Sequence, residues 1–160
     1  MKRDSVIFLC TGNICRSPMG EGLLKHAIAA LPDSSPLKTL RVLSAGTFGE
    51  DGMRASSNSI IALDKVGVDI SRHVAQSITQ EMLDGCFALV AMTQAHLDTV
   101  RRYFKTMPPH SFTLLSLVPN AAHTDISDPY GYGMNTYIEV RDEIISAMPY
   151  LVKFLEKEYK

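Results

Sequence analysis

The residues with the most chemistry to offer lie in "CTGNICRSP", residues 10–18: a cysteine, a glycine–asparagine pair, a second cysteine, an arginine and a serine–proline pair. The apolar run "SVIFL" (5–9) before it predicts a buried strand ending on Cys10. Ser17-Pro18 predicts a helix start, a capping residue followed by proline at the first helical position. A loop wrapped at a helix N-terminus points successive backbone N–H groups inward and makes a cradle for a tetrahedral anion. Gly12 and Asn13 supply the backbone freedom, since both tolerate left-handed conformations. Arg16 adds a planar fork of donors suited to two oxygens of a phosphate. Cys10 would sit among amides, a helix N-terminus and a guanidinium, all of which favour thiolate. A thiolate aimed into an anion cradle is a nucleophile for phosphorus. By itself, Cys-x5-Arg is a cheap spacing in which the cysteine merely packs. The flanking strand and helix, the serine directly after Arg16 and an acid in a long loop elsewhere favour chemistry.

The elements that must position these groups follow from hydrophobic patterning. Four apolar runs, "SVIFL" (5–9), "RVLSA" (41–45), "FALVAM" (87–92) and "FTLLSL" (112–117), alternate with helix-like stretches. Near-continuous apolar strands between amphipathic helices are the pattern of a parallel sheet covered on both faces. Helices are predicted near 18–31, 56–66, 94–104 and 135–157, with a short turn at 80–83. In the last helix Tyr137, Ile138, Arg141, Ile144, Ile145, Met148, Leu151, Val152 and Leu155 keep a stripe at spacings of three and four. Two long loops remain, "LPDSSPLKT" (31–39) and "PNAAHTDISDPYGYG" (119–133), and loops of that length in a compact domain are usually functional. The second follows the last strand, where an open α/β sheet gathers its ligands.

Whole-chain properties narrow the field. With 160 residues, 46% hydrophobic and 21% charged, the chain is expected to form one domain over 1–160. A net charge of −1 gives no general attraction to nucleic acid or anionic membrane, so any anion must be met by a local site. No apolar run approaches the roughly 20 residues of a membrane span, and a cytoplasmic location is expected. Three cysteines, without CxxC pairs or a Cys/His cluster at zinc spacing, fit a reducing compartment and predict no metal site.

"CTGNICRSP" followed far downstream by "DPY" (128–130) resembles the low-molecular-weight protein tyrosine phosphatases, and the likeness extends through "LSAGT" (43–47), "DISRHVAQSIT" (69–79) and "FALVAMTQAH" (87–96). The resemblance implies an α/β, flavodoxin-like three-layer fold with a central four-stranded parallel sheet. It also implies no metal or organic cofactor, a phosphorylated protein or peptide as substrate and inorganic phosphate as product. Carried over by position, Cys10 is the nucleophile, Arg16 binds the phosphoryl oxygens and Asp128 is the general acid. Ser17 would hydrogen-bond the Cys10 sulfur, and Asn13 would hold the strained turn with Ser44 and His73 as its supports. Thr11, Gly12, Asn13, Ile14, Cys15, Arg16 and Ser17 make up the phosphate-binding loop.

Alternatives stay open at several positions. Asp125 is a rival carboxylate three residues before Asp128, and Asp-Pro-Tyr is also ordinary turn chemistry. Cys15 either packs or forms a reversible disulfide with Cys10. Cys86 reads as a packed thiol. Ile14, Phe48, Tyr130 and Tyr132 are candidates for an aromatic-binding wall, although Gly131 separates tyrosines that adjoin in many eukaryotic members. A sister activity removes phosphate from arginine, and the resemblance ties it to a threonine where this chain has Ile14, so phosphotyrosine is the expected substrate and phosphoarginine the alternative. An arsenate reductase needs a cysteine relay, and Cys86 stands alone. A non-catalytic phosphoprotein-binding module is disfavoured by the presence of Cys10, Arg16 and Asp128 together.

Overall fold

In the computed structural model, which describes residues 2–160, four parallel strands form one sheet. They are β1 (Ser5–Cys10), β2 (Arg41–Gly46), β3 (Cys86–Ala91) and β4 (His110–Thr113), in the order β2-β1-β3-β4. The helices are α1 (Arg16–Ala29), α2 (Ser57–Asp64), α3 (Gln80–Asp84), α4 (Gln94–Tyr103) and α5 (Met134–Glu158), with 3-10 turns at Pro36–Thr39 and Leu114–Leu117. This is an α/β, flavodoxin-like arrangement. β1 is buried along its whole length, as a central strand covered on both faces must be.

Alternate β1 side chains feed two cores. Val6 and Phe8 pack with Met19, Leu24, Ile144, Leu151 and Leu155 from α1 and α5. Ile7 and Leu9 pack with Ile78, Leu83, Leu97 and Val100 on the α3–α4 side. Period-two alternation on one strand therefore sets the three layers. The chain leaves β1 toward β2 on one side, and β3 leads to β4 on the other. Cys10 thus ends its strand where the strand order reverses, the crevice in which open α/β sheets bind ligands.

Two local expectations are corrected. The apolar run 112–117 is not one strand: pairing stops at Thr113, and Leu114–Leu117 turn into a 3-10 helix that buries Leu114 and Leu115. Apolar continuity marks burial, which a short helix satisfies as well as a strand. Ser17 is not the cap of α1. The helix begins at Arg16 with Cys15 at its N-cap and no side-chain cap, because the Ser17 hydroxyl is committed elsewhere.

Candidate active site

The loop between β1 and α1 is fastened from outside through its carbonyls. The oxygens of Cys10, Thr11, Gly12 and Ile14 accept from the backbone N–H groups of Thr47, Phe48, Glu50 and Ser56 at 2.9, 3.0, 2.8 and 2.7 Å. His73 Nε2 donates to the Asn13 carbonyl at 2.7 Å, and the Ser59 hydroxyl to that of Cys15 at 3.2 Å. A planar peptide with its carbonyl outward turns the N–H the other way. The N–H groups of residues 11–15 accordingly have no protein acceptor among the described residues, which makes them free donors for an anion. The close approach of the β2 end explains Gly46: a Cβ there would lie 2.3 Å from the Thr11 carbonyl oxygen.

Asn13, not Gly12, takes the left-handed turn, with φ 62°. Its side chain is fully buried and fully used. Nδ2 donates to Ser17 Oγ at 2.7 Å and Ser44 Oγ at 3.0 Å, while Oδ1 accepts from the Gln76 N–H at 3.0 Å. These bonds fix the amide orientation and compensate a backbone conformation that costs about 1–3 kcal/mol. They also set proton directions. Ser44 accepts from Asn13 and donates to Glu21 Oε1 at 2.6 Å. Ser17 accepts from Asn13, so its own proton is available to Cys10 Sγ, 2.9 Å away. A hydroxyl so directed can donate a charge-assisted hydrogen bond to an ionised sulfur.

Arg16 is 5% exposed at its side chain, bonded through Nη1 to the Ile126 carbonyl at 2.9 Å and lying 3.7 Å from Asp128 Oδ2 through Nη2. The guanidinium thereby spans from the first loop to loop 119–133. The two loops enclose a cleft of about 150 Å³ lined by Cys10, Thr11, Gly12, Ile14, Cys15, Arg16, Phe48, Glu50, Asp128 and Tyr130. Asp128 presents its carboxylate half in solvent, held by an N–H from Tyr130 at 3.0 Å. Asp125 is spent on the first N–H of α4, from Gln94 at 2.9 Å, and does not line the cleft.

Of the four wall candidates, three reach the cleft. Ile14, Phe48 and Tyr130 line the cleft; Tyr132 does not. Gly131, at φ 85°, makes a tight turn closed by Tyr132 N–H to Pro129 O at 2.9 Å, and this sends the two tyrosines apart. Cys15 is buried beside Ser56 and Tyr137, its thiol 3.4 and 3.5 Å from their hydroxyls, and burial raises its pKa. Burial pushes the Cys86 thiol up to about 12.

Sequence reasoning missed Glu21, Glu50, Gln76 and His96. Glu21 carried a faint signal, being four residues after Ser17 on α1 and hence on the same face. Glu50 and Gln76 are brought in by loops and His96 by the first turn of α4, through tertiary geometry that no local pattern records. A larger groove of about 420 Å³, lined by Leu23, His26, Val66, Val68, Met148 and Val152 among others, is apolar apart from His26 and holds no arginine or lysine.

A buried cysteine and a buried arginine at the floor of an amide cradle, with a carboxylate at its mouth, on a 2-1-3-4 parallel sheet, define a cysteine-dependent phosphatase architecture. The family model "Low molecular weight phosphotyrosine protein phosphatase" matches residues 5–160, and the chain belongs to that family. It is 32% identical over 153 residues to the protein-arginine-phosphatase of Bacillus subtilis, covering 96% of this chain and 97% of that one. Among solved structures, the low molecular weight protein tyrosine phosphatase from T. tengcongensis superposes with a TM-score of 0.85 at 33% identity, covering 95% of this chain and 99% of that one. The Erwinia amylovora tyrosine phosphatase AmsI superposes with a TM-score of 0.82 at 27% identity, covering 96% and 93%.

Proposed function

We propose that this chain, acting as one domain over 1–160, hydrolyses phosphotyrosine in proteins or peptides through a cysteinyl-phosphate intermediate. The observation that carries the reading is the composition of the cleft: Cys10 and Arg16 at its floor, Asp128 at its mouth, and Ile14, Phe48 and Tyr130 as walls for a flat ring.

Cys10 Sγ attacks phosphorus in line with the departing ester oxygen. The loop N–H groups and the free edge of the Arg16 guanidinium hold the non-bridging oxygens, more tightly as charge builds in the transition state. The S–P bond forms as the P–O bond breaks, and Asp128 gives its proton to the leaving phenolate oxygen. Asp128, now ionised, takes a proton from a water that attacks the cysteinyl phosphate. The S–P electron pair returns to sulfur, stabilised by the Ser17 hydroxyl, and inorganic phosphate leaves. Asn13, Ser44 and His73 hold the loop throughout. No helix is long and apolar enough to cross a membrane among the described residues. The absence of such a helix and the three unpaired thiols are compatible with the cytoplasmic location that this reading carries.

A second substrate class has a specific observation in its favour. Glu50 places a carboxylate at the cleft, where it can face a cationic guanidinium, and the Bacillus subtilis relative is named an arginine phosphatase. Initial rates on matched phosphotyrosine, phosphoarginine and phosphoserine peptides decide. The phosphotyrosine peptide is expected to be fastest, and Ile14→Thr is expected to move the ratio toward phosphoarginine by about tenfold, equivalent to about 1.4 kcal/mol. A wild-type preference for phosphoarginine overturns the substrate assignment and leaves the chemistry of Cys10 in place.

A further inference from the structure

His96 has no part in the steps above, yet it is 5% exposed and lies against the nucleophile's loop. Its Nε2 is 2.9 Å from Thr11 Oγ1, although 85 residues separate the two in sequence. Its other nitrogen, Nδ1, is 3.2 Å from the backbone N–H of Thr93, and the His96 N–H returns a bond to Thr93 Oγ1 at 3.3 Å, closing a capping box at the start of α4. A backbone amide can only donate, so Nδ1 is an acceptor and the ring proton of the neutral imidazole resides on Nε2. Burial and the Arg16 charge hold the ring neutral, pushing its pKa down to about 4. The bond to Thr11 therefore runs from Nε2–H to the threonine oxygen.

A hydroxyl that accepts one hydrogen bond keeps its proton for another partner. Thr11 Oγ1 has no second partner among the described residues, and Thr11 is an exposed residue that lines the cleft together with Cys10, Gly12 and Arg16. We infer that His96 is a positioning residue that fixes the Thr11 hydroxyl as a donor to a phosphoryl oxygen of the bound group, adding a side-chain contact to those of the loop amides and Arg16. The β3–α4 junction that holds His96 also holds loop 119–133, through Gln94 N–H to Asp125 at 2.9 Å and Ile126 N–H to Met92 O at 2.9 Å. One junction thus registers both walls of the cleft.

The inference rests on the phosphatase reading. The test uses the full chain, an aryl phosphate for turnover and inorganic phosphate as the competing probe. Thr11→Val removes the hydroxyl with little change of shape at an exposed site. It is expected to lower kcat/KM about tenfold and to weaken inhibition by phosphate by a similar factor, with Thr11→Ser near wild type, as for loss of one hydrogen bond to a charged group. His96→Leu is expected to cost a similar factor alone and no further activity in the Thr11→Val background. An active wild-type protein whose Thr11→Val variant keeps its rate and its phosphate affinity overturns this inference alone. So does a double variant whose losses multiply, because His96 then acts only by supporting α4. A wild-type protein that neither turns over the ester nor binds phosphate overturns the functional reading as well.

Discussion

Asn13 and Asp128 stand on two loops that meet at one cleft. Asn13 is fully buried with every side-chain polar atom engaged, whereas the Asp128 side chain is 54% exposed and holds one local hydrogen bond, from the Tyr130 N–H. The first loop has each carbonyl from Cys10 to Cys15 bonded outward. The second is tied down at Asp125 and Ile126, and at His123 through Glu143 of α5 at 2.7 Å, and is otherwise mostly exposed. The difference fits the roles proposed above for Cys10 and Asp128. A nucleophile and its oxyanion donors lose rate when misplaced by a fraction of an ångström, so their loop is over-determined. An acid that protonates a leaving group and then deprotonates water has to meet solvent and accommodate variable substrates, and an exposed carboxylate beside a fixed arginine does both.

Changes on the buried side carry the largest expected effect. Arg16→Lys keeps the charge, loses the fork and abandons the Ile126 carbonyl at 2.9 Å; kcat/KM is expected to fall about 100-fold or more. A variant within a few-fold of wild type would make Arg16 a structural tie between loops. On the exposed side, Asp128→Asn should lower the rate about 100-fold for an ester with a basic leaving group and much less for an activated aryl ester that departs without a proton. Asp125→Asn should show no such leaving-group dependence, since Asp125 serves α4; finding it in Asp125→Asn and not in Asp128→Asn would reverse the assignment.

The junction between the regions gives a pH signature. The His96 pKa is lowered from an ordinary 6.5 to about 4 by burial and by Arg16, with Asp125 and Asp128 opposing, so the unfolded chain binds more protons between those values. Its contribution is complete above pH 6.5 and is lost as pH falls toward 4, a change of about 3 kcal/mol. Denaturant unfolding of wild type and His96→Gln across that window should show the difference between them shrinking as pH falls. A constant difference contradicts the buried neutral ring. The smallest effect concerns the walls: Tyr130→Ala should raise KM for an aryl phosphate several-fold and Tyr132→Ala hardly at all, because only Tyr130 lines the cleft. Equal effects would place Tyr132 against the bound substrate.

The same contrast explains what was legible in the sequence. β1, the turn through Asn13 and the presence of a helix directly after it are legible because apolar run, left-handed residue and helix signal are local features. Ser17 shows the limit of such signals: serine before proline reads as a cap, but a tertiary bond from Asn13 and the nearby sulfur claim its hydroxyl. Gln76 and His96 were illegible because their partners, Asn13 and Thr11, are 63 and 85 residues away and are reached only through strand pairing. The 112–117 run was misread because hydrophobicity reports burial without reporting backbone geometry. The family resemblance groups Tyr132 with Tyr130, but the left-handed turn at Gly131 leaves only Tyr130 on the cleft.

The central claim is that phosphate passes through the Cys10 sulfur, and it is tested most directly by acid-free rapid quench of the Asp128→Asn protein mixed with an activated aryl phosphate, followed by mass spectrometry of the intact chain and its peptides. The first step does not need the acid with such a leaving group, whereas hydrolysis of the intermediate lacks its base. A phosphate adduct is therefore expected to accumulate on the peptide containing Cys10, to approach one per chain, and to be absent when Cys10 is also changed to alanine. Burst release of the phenol with the adduct on another residue, or steady turnover by a Cys10→Ser protein, would contradict the account.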